Sequence, residues 1–386
     1  MWDKISDISS GLKGITIIGS SDIVGSLIGA VFWFYLASLL GAEQYGQISY
    51  FLSIASIAST ISLLGTENAV SVYVAKSVKL ESTIYLIPII VGLITGIILY
   101  FLFSDLGLSA YVLGSVIIGL ALSEILAKGL FQSYAKYLVL QKILMVVLSI
   151  GLYQIIGIDG ILFGIGLSFF LYLIRIYKGF RETKIDFSLI RPRFKFLANS
   201  YVLNLVGTFN GSLDKLIIAP LVGFALLGNY QLGIQFISIM HILPAIVYKY
   251  ILPQDASGKS NKKLKQLTVL SSVGIAILGI VLAPVVIPQL FPKFIEAVTI
   301  IQIMSISLIP STMNLMYESK FLGNEKIRFL LMGSGVYLVI LISSIITLGI
   351  TFGINGMAMA MVLSASAETI FYYFVNRIKE IAVNED

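Results

Sequence analysis

The carboxylates Asp22, Glu124 and Glu368 lie inside long apolar stretches of the sequence. A charged side chain within a membrane is costly, so such residues mark ion or substrate pathways or are satisfied by a neighbouring helix. A carboxylate can couple transport to an ion gradient if it binds H⁺ or Na⁺ in one conformation and releases the ion in another. We therefore predict that ion coupling involves these three acids. A hydrogen-bonded acid between helices is the alternative.

Polar and small residues also follow one face of two apolar segments. The first set comprises Gly19, Asp22, Gly25, Ser26 and Gly29, and the second comprises Ser200, Asn204, Gly207, Asn210, Gly211 and Asp214. Residues three or four apart lie on the same side of a helix. Such small residues allow helices to pack closely, which is one interpretation of both sets. The other is a transport cavity, which we predict to be lined by Asp22, Asn204, Asn210, Asp214 and Lys215.

Lys215 is the cation that lies deepest in the apolar segments. Facing inward, it would attract a phosphate, whereas facing outward it would extend to the membrane surface. Adjacent residues of a helix point about 100° apart, so we do not expect Lys215 to pair squarely with Asp214. At least one of the two must then find another partner.

The elements that hold these residues must be membrane helices. Of the 386 residues, 58% are hydrophobic and only 12% are charged, whereas a soluble domain has about 25% charged residues. About 20 apolar residues cross a hydrocarbon layer about 30 Å thick. We predict an all-α, polytopic membrane protein of about 12 transmembrane helices. They lie near residues 15–40, 46–65, 83–103, 108–130, 142–157, 158–178, 196–220, 227–252, 267–290, 296–319, 327–350 and 354–378.

Several chemistries are excluded by composition. The sequence has no cysteine and a single histidine, His241. These counts exclude disulfides, thiolate chemistry and a histidine metal cluster, and we expect neither a metal nor another cofactor. The predicted outer loops are short and no Gly-x-Gly-x-x-Gly motif occurs, so we predict that the protein is not an enzyme.

The positive charges predict the orientation of the chain. All of the 26 lysines and arginines except Lys215 and Lys293 lie at the termini or in and beside every second loop. Cytoplasmic loops retain positive charge, so we predict a multi-pass protein of the plasma (inner) membrane with both termini cytoplasmic. Insertion and anionic lipids account for the net charge of +6, and nucleic acid is not an expected partner. Arg191, Arg193 and Lys195 border the inner mouth, where they either gather an anionic headgroup or only set the orientation.

The sequence also repeats internally. An offset of 182 residues aligns the glycines of span one with those of span seven, and an offset of 196 aligns Gly157-Ile-Asp-Gly160 with Gly353-Ile-Asn-Gly356. Because six helices is an even number, both halves would enter the membrane from the same side, which makes the repeat parallel. We predict two six-helix lobes, residues 1–182 and 183–386. Such a duplication favours an alternating-access carrier, with a channel as the alternative.

Five strings resemble a known family. They are Tyr35-Leu-Ala-Ser-Leu-Leu-Gly-Ala-Glu-Gln-Tyr-Gly46, Leu64-Gly-Thr-Glu-Asn-Ala69, Leu213-Asp-Lys-Leu-Ile-Ile218, Leu227-Gly-Asn-Tyr230 and Gly353-Ile-Asn-Gly-Met-Ala-Met-Ala360. In order and spacing they resemble the polysaccharide transporter family, the oligosaccharide-lipid flippases of the multidrug/oligosaccharidyl-lipid/polysaccharide exporter superfamily. The resemblance implies a V-shaped bundle of two lobes that flips a polyprenyl-pyrophosphate-linked oligosaccharide. It also implies membrane lipids and other glycan-assembly membrane proteins as partners.

The nearest rival function belongs to the same superfamily. A cation-coupled multidrug and toxin extrusion carrier has a similar plan of twelve helices, and a cavity with acids and few cations would suit its substrates. Binding of an organic cation would favour this rival, whereas flipping of a lipid-linked glycan would exclude it.

Overall fold

The computed structural model describes residues 2–258 and 261–384, with side chains over 16–258 and 261–377. Lys259, which is among the basic residues used to predict orientation, lies outside the described residues. The helices of the first part of the chain are α1 (Trp2–Leu40), α2 (Ala42–Leu63), α3 (Thr66–Ala75), α4 (Glu81–Phe103), α5 (Leu106–Ala127), α6 (Phe131–Ile156), α7 (Asp159–Phe169) and α8 (Leu173–Glu182). Those of the later part are α9 (Phe194–Val222), α10 (Phe224–Met240), α11 (Ile242–Ala256), α12 (Lys262–Leu290), α13 (Ala297–Gly323) and α14 (Ile327–Asn384). The described residues contain no strand, which confirms the all-α prediction.

The described helices account for the predicted number of spans. Ten helical segments are long and apolar enough to cross a membrane, and α10 and α11, bent by 46°, pass the same test when taken together. The segment Ile327–Arg377 has 51 residues, a length of about 76 Å, which is more than twice the thickness of a hydrocarbon layer. It is interrupted at Gly353, where φ is 59° and ψ is −140°, and therefore provides two spans. A polytopic membrane protein of about 12 helices is thus confirmed.

Two parts of the first half differ from the prediction. Helix α6 begins at Phe131, whereas the prediction started this span near residue 142. The prediction starts late because polar residues in the first turns of α6 lower the local hydropathy. One of these residues, Gln141, is buried and donates a hydrogen bond to Ser168 Oγ at 2.9 Å. The segment after Gly65, predicted as a loop, forms the short helix α3. Hydropathy measures partition into lipid, so it overlooks helical turns whose polar groups are satisfied inside the protein.

The described helices form two compact units. The first comprises Met1–Trp33 and Phe51–Thr208, and the second comprises Phe34–Tyr50 and Phe209–Asp386. In the first unit α5 packs against α3, α4 and α7, and in the second α13 packs against α10, α11, α12 and α14. Glu124 lies on α5, and Asn314, a hydrogen-bond partner of Glu368, lies on α13. The lobe boundary expected from the repeat, between residues 182 and 183, stays a prediction.

The glycines aligned by the offset of 196 residues have the same geometry. Gly157 has φ 72° and ψ −146°, and Gly353 has φ 59° and ψ −140°, a region that favours glycine. Three residues later, a Cβ on Gly160 would collide with the backbone of Leu152, and one on Gly356 with the backbone of Leu348. Leu152 and Leu348 are themselves 196 residues apart. The same glycine pair therefore lets two helices meet closely in both halves of the chain.

Candidate functional site

Glu124 in the first unit is surrounded by cations. Its side chain on α5 is 0% exposed, and its Oε1 lies 2.7 Å from Lys128 Nζ and 3.1 Å from Arg175 Nη2. Lys128 also contacts Glu81 at 3.3 Å and Glu182 at 2.7 Å. Burial opposes the charge on Lys128, yet its hydrogen bonds to Glu124 and Glu182 outweigh this effect and raise the pKa of the lysine. Glu124 thus belongs to a network of fixed charges that joins α4, α5 and α8.

Asp22 and Asn204, the pair matched by the internal repeat, have separate partners in the first unit. The hydroxyl of Tyr134 on α6 donates a hydrogen bond to Asp22 Oδ1 at 2.9 Å. Asn204 Oδ1 accepts a hydrogen bond from Asn68 Nδ2 on α3 at 3.2 Å. No lysine or arginine among the described residues forms an ion pair with Asp22. Both groups therefore face neutral polar side chains.

Sequence reasoning missed a further acid of the first unit, Glu67. A cavity of about 330 Å³ lies between α2, α3 and α5, and its polar lining consists of Ser56, Ser59, Thr60, Glu67, Tyr111 and Ser115. The Glu67 carboxylate packs directly on Gly119, where an added Cβ would collide with it. Within the described residues, no hydrogen-bond donor to Glu67 is present. Ser56, Ser59, Thr60 and Leu63 share one face of α2. Glu67 lies on α3 after the break at Leu64 and Gly65, so the spacing along a single helix does not predict its place in this lining.

Asp214 and Lys215 form a buried ion pair in the second unit. Lys215 Nζ lies 3.1 Å from Asp214 Oδ1 and 3.4 Å from Oδ2, and it also donates to Gly211 O at 2.7 Å. Tyr230 OH donates to Asp214 Oδ2 at 3.1 Å. The expectation that the two neighbours would not pair is wrong, because the long lysine side chain folds back over the preceding turn. Both residues are buried, so Lys215 is not an extended, unpaired cation.

The remaining predicted residues differ in accessibility. Asn210 Oδ1 is buried and accepts no hydrogen bond from the described residues. Arg191 and Lys195 are exposed. Arg193 lies over the ring of Tyr73, 4.8 Å from its centre, and donates to Leu189 O at 2.5 Å. Of the three basic residues, Arg191 and Lys195 are therefore the more accessible to an anion.

The hydrogen-bond partners of Glu368 on α14 are neutral. Its side chain accepts hydrogen bonds from Asn314 Nδ2 at 2.9 Å and from Tyr372 OH at 3.1 Å. Thr369 Oγ1 donates to Asn314 Oδ1 at 2.6 Å, which directs the amide nitrogen of Asn314 towards the carboxylate. Among the described residues, no lysine or arginine forms an ion pair with Glu368. The arrangement holds a carboxylate whose charge can change without separating an ion pair.

Comparisons with known proteins address the family and the fold. The family described as "Polysaccharide biosynthesis protein" matches residues 11–253. No curated protein matches the sequence at a significant level. Among solved structures, lipid II flippase MurJ in an inward closed conformation is similar with a TM-score of 0.77 and 14% identity, over 94% of this chain and 87% of that chain.

Two solved structures of MOP superfamily transporters are also similar in fold. An inward-facing MATE multidrug resistance transporter gives a TM-score of 0.67 at 14% identity, over 94% of this chain and 96% of that chain. A MOP superfamily transporter from Pyrococcus furiosus, described as having a binding pocket of reverse polarity, gives 0.63 at 13% identity over 96% of each chain. The chain therefore has the fold of this transporter superfamily.

Proposed function

Because this chain belongs to the polysaccharide biosynthesis protein family, we propose that it flips a lipid-linked oligosaccharide of the polyprenyl-pyrophosphate type by alternating access. The product would serve cell-surface glycan assembly. The family match over residues 11–253 carries the proposal, and the likeness to the fold of a lipid II flippase supports it. Transport of this kind needs no catalytic residue, so an enzymatic activity is not part of the proposal.

We further propose that H⁺ or Na⁺ couples this transport through Asp22 or Glu368. Both carboxylates face neutral hydrogen-bond donors, whereas Glu124 faces a lysine and an arginine. Binding H⁺ or Na⁺ at Glu124 would neutralise the carboxylate and leave its cations unpaired, which is costly in a buried site. Asp22→Asn and Glu368→Gln each keep a hydrogen-bond acceptor. The variant that flips its substrate without responding to an ion gradient identifies the coupling acid.

The cavity residues and headgroup residues expected from the sequence are part of the proposal. Asp22, Asn204, Asn210, Asp214 and Lys215 remain the proposed cavity residues, and Arg191, Arg193 and Lys195 the residues that gather the headgroup. The exposure of Arg191 and Lys195 supports the second role. Replacing the three basic residues with Gln should lower the flipping rate and leave the orientation of the chain unchanged. Unaltered flipping would assign them to orientation alone.

We propose that the protein lies in the plasma (inner) membrane. In the proposed orientation, both termini are in the cytoplasm. The natural absence of cysteine allows single cysteines to report on sidedness. Asp186 and Ile295 are both exposed, and the charge bias puts them on opposite sides. An impermeant thiol reagent should label Ile295→Cys and not Asp186→Cys in intact cells. The reverse pattern would overturn the orientation.

Flipping is tested with purified protein in liposomes that contain a polyprenyl-pyrophosphate-linked oligosaccharide. A lectin outside the liposomes detects only glycan in the outer leaflet. We expect that fraction to rise with time, and faster under an ion gradient, while liposomes with an unrelated membrane protein do not change. If the glycan stays in place and a fluorescent organic cation is exported instead, the protein is an extrusion carrier, the function that its fold likeness to MATE transporters also supports.

A further inference from the structure

The cavity that contains Glu67 holds a carboxylate without a counter-charge. The cavity lies within the first unit, between α2, α3 and α5, and has a volume of about 330 Å³. In the described part of the chain, Glu67 forms no ion pair and accepts no hydrogen bond. The helices α2, α3 and α5 contain neither lysine nor arginine. A partly buried carboxylate in such surroundings is costly unless a ligand pairs with it.

The position of Glu67 is fixed from two sides. Leu64 and Gly65 have left-handed φ values of 51° and 72°, and this turn separates α2 from α3. Glu67 therefore lies in the first turn of α3, where the helix dipole favours the ionised carboxylate. Across the cavity, Gly119 of α5 leaves room for this carboxylate, because an added Cβ would collide with Glu67 Oε1.

Hydroxyl oxygens of α2 surround the same space. Ser59 Oγ donates a hydrogen bond to Ala55 O at 2.6 Å. Thr60 Oγ1 lies 3.1 Å from Ser56 O and 2.8 Å from Thr208 Oγ1. A hydroxyl has one proton and two acceptor lone pairs, so a hydroxyl that donates to its own helix still offers an oxygen to a ligand. The lining of α2 is therefore rich in acceptors.

One carboxylate among hydroxyl oxygens favours a monovalent cation. Divalent cations in proteins are usually bound by several carboxylates, and no group of three His, Cys, Asp or Glu side chains in the described residues could hold a metal ion. On α5, Ser115 lies close to the hydroxyl of Tyr111, and both residues line the cavity. The volume exceeds that of a bare ion and falls at the lower end of small-molecule sites. It has room for a hydrated metal ion or a small organic ammonium.

We propose that this cavity binds a monovalent cation, Na⁺ or a small ammonium group, through the Glu67 carboxylate and the hydroxyl oxygens of Ser59 and Thr60. The site goes beyond the proposed flipping activity and is separate from Asp22 and Glu368, the acids proposed for ion coupling. Its chemistry follows from the lining and does not depend on the substrate that the protein flips.

Direct binding of radioactive cations to the full-length protein tests this site. Asp22→Asn and Glu368→Gln are combined in one parent protein, so that the acids proposed for ion coupling no longer contribute. Purified parent protein is attached to scintillation beads in a buffer whose main cation is N-methylglucamine. We expect saturable binding of radioactive sodium or of radiolabelled methylammonium. Glu67→Gln in this parent should weaken the binding by at least about tenfold, because the negative charge is lost.

A glycine variant tests the position of the carboxylate without removing its charge. Gly119→Ala adds the Cβ that collides with Glu67 Oε1, and we expect at least about tenfold weaker binding in the parent protein. The matched control is Gly151→Ala on α6, where an added Cβ meets nothing within 4 Å, and it should bind like the parent. Alanine favours a helix more than glycine does, so loss of binding in Gly119→Ala is not expected to come from unfolding, and circular dichroism checks this.

A serine pair tests the hydroxyl oxygens. Ser59→Ala removes a lining oxygen and should weaken binding by about threefold. Ser62→Ala is the matched control, because Ser62 also donates to the carbonyl one turn earlier, Ala58 O at 2.8 Å, but does not line the cavity. It should leave binding unchanged.

Competition identifies the source of the cation. Displacement of radioactive sodium by Na⁺ but not by methylammonium identifies a metal ion as the ligand, and tighter binding of methylammonium identifies an ammonium group. Both outcomes support a cation site at Glu67.

The site is overturned if the parent protein binds neither cation, if Glu67→Gln binds like the parent, or if Gly119→Ala and Gly151→Ala bind alike. Binding by the wild-type protein but not by the parent would assign the cation to Asp22 or Glu368, and would contradict this inference only. Because binding is measured without transport, cation binding by a protein that does not flip a lipid-linked glycan contradicts the proposed function only.

Discussion

Glu124 and Glu368 are both buried carboxylates in helical spans, yet the two units give them different partners. Glu124 in the first unit lies 2.7 Å from Lys128 and 3.1 Å from Arg175. Glu368 in the second unit accepts hydrogen bonds from the Asn314 amide and the Tyr372 hydroxyl. The first acid forms ion pairs, and the second accepts hydrogen bonds from neutral groups.

This difference separates a structural acid from one that can exchange an ion. A buried ion pair stabilises only as long as both partners remain, since either charge alone is strongly unfavourable. A carboxylate among neutral hydrogen-bond donors forms no ion pair. It can therefore bind H⁺ or Na⁺ at a smaller cost in free energy, because no cation is left unpaired. Two acids that look alike in the sequence are therefore expected to respond differently to substitution.

Removing a cation from the Glu124 network should have the largest effect. Lys128→Met leaves Glu81, Glu124 and Glu182 without the lysine that joins them, and we expect the free energy of unfolding to fall by about 3 kcal/mol. Unfolding by dodecyl sulfate in mixed micelles, followed by circular dichroism, measures this change. Lys136→Met, an exposed lysine of the same unit, is the control. Glu124→Gln in the Lys128→Met protein should restore part of the loss, and a fully additive effect would contradict the network.

The same isosteric change in both acids sharpens the comparison. Glu124→Gln removes the charge that faces Arg175 and should cost about 2 kcal/mol of unfolding free energy. Glu368→Gln should cost less than about 1 kcal/mol, because the Tyr372 hydroxyl can accept a hydrogen bond from the new amide. Equal losses in the micelle titration would show that the neutral partners do not make Glu368 more tolerant.

The spans could be predicted from the sequence because a membrane helix is a long apolar segment, a property of composition. The repeat was also visible, since Gly157 and Gly353 require the same backbone conformation. The predicted helix boundaries are wrong where polar residues form hydrogen bonds inside the protein. Gln141 on α6, which donates a hydrogen bond to Ser168, is one such residue. Hydropathy averages over a window and does not report which side chains meet.

The partners of the intramembrane acids could not be predicted for the same reason. Arg175 is 51 residues from Glu124 in the sequence, and only the packing of α5 and α8 brings them together. The pairing of Asp214 with Lys215 depends on a rotamer that folds over Gly211. Hydropathy does not predict Glu67 as a helical residue, because α3 is a short helix outside the long apolar segments. Helical spacing predicts which face a residue shares, whereas its counter-charge depends on tertiary packing.

Asp22 is intermediate between Glu124 and Glu368 in the expected dependence on its partner, because it accepts a hydrogen bond from one neutral donor. Tyr134→Phe removes the hydroxyl that lies 2.9 Å from Asp22 Oδ1, and we expect a loss of about 1 kcal/mol in unfolding free energy. Tyr137→Phe, one turn later on α6, is the control, since no hydrogen bond of its hydroxyl is present among the described residues. A loss of 3 kcal/mol, about as large as that expected for Lys128→Met, would indicate that Asp22 is as dependent on its partner as a fixed ion pair.

The smallest effect is expected one step away from Glu368. Thr369 Oγ1 donates to Asn314 Oδ1 at 2.6 Å, so Thr369→Val frees the amide of Asn314 to turn its oxygen towards the carboxylate. We expect a loss of about 0.5–1 kcal/mol in unfolding free energy, and a shift of about threefold in the ion concentration that half-saturates flipping. Thr351→Val, an exposed threonine of α14 bonded only to its own helix, should change neither quantity. If Thr369→Val lowers stability but leaves the ion dependence unchanged, the amide orientation is structural only, and ion exchange has to be sought at Asp22.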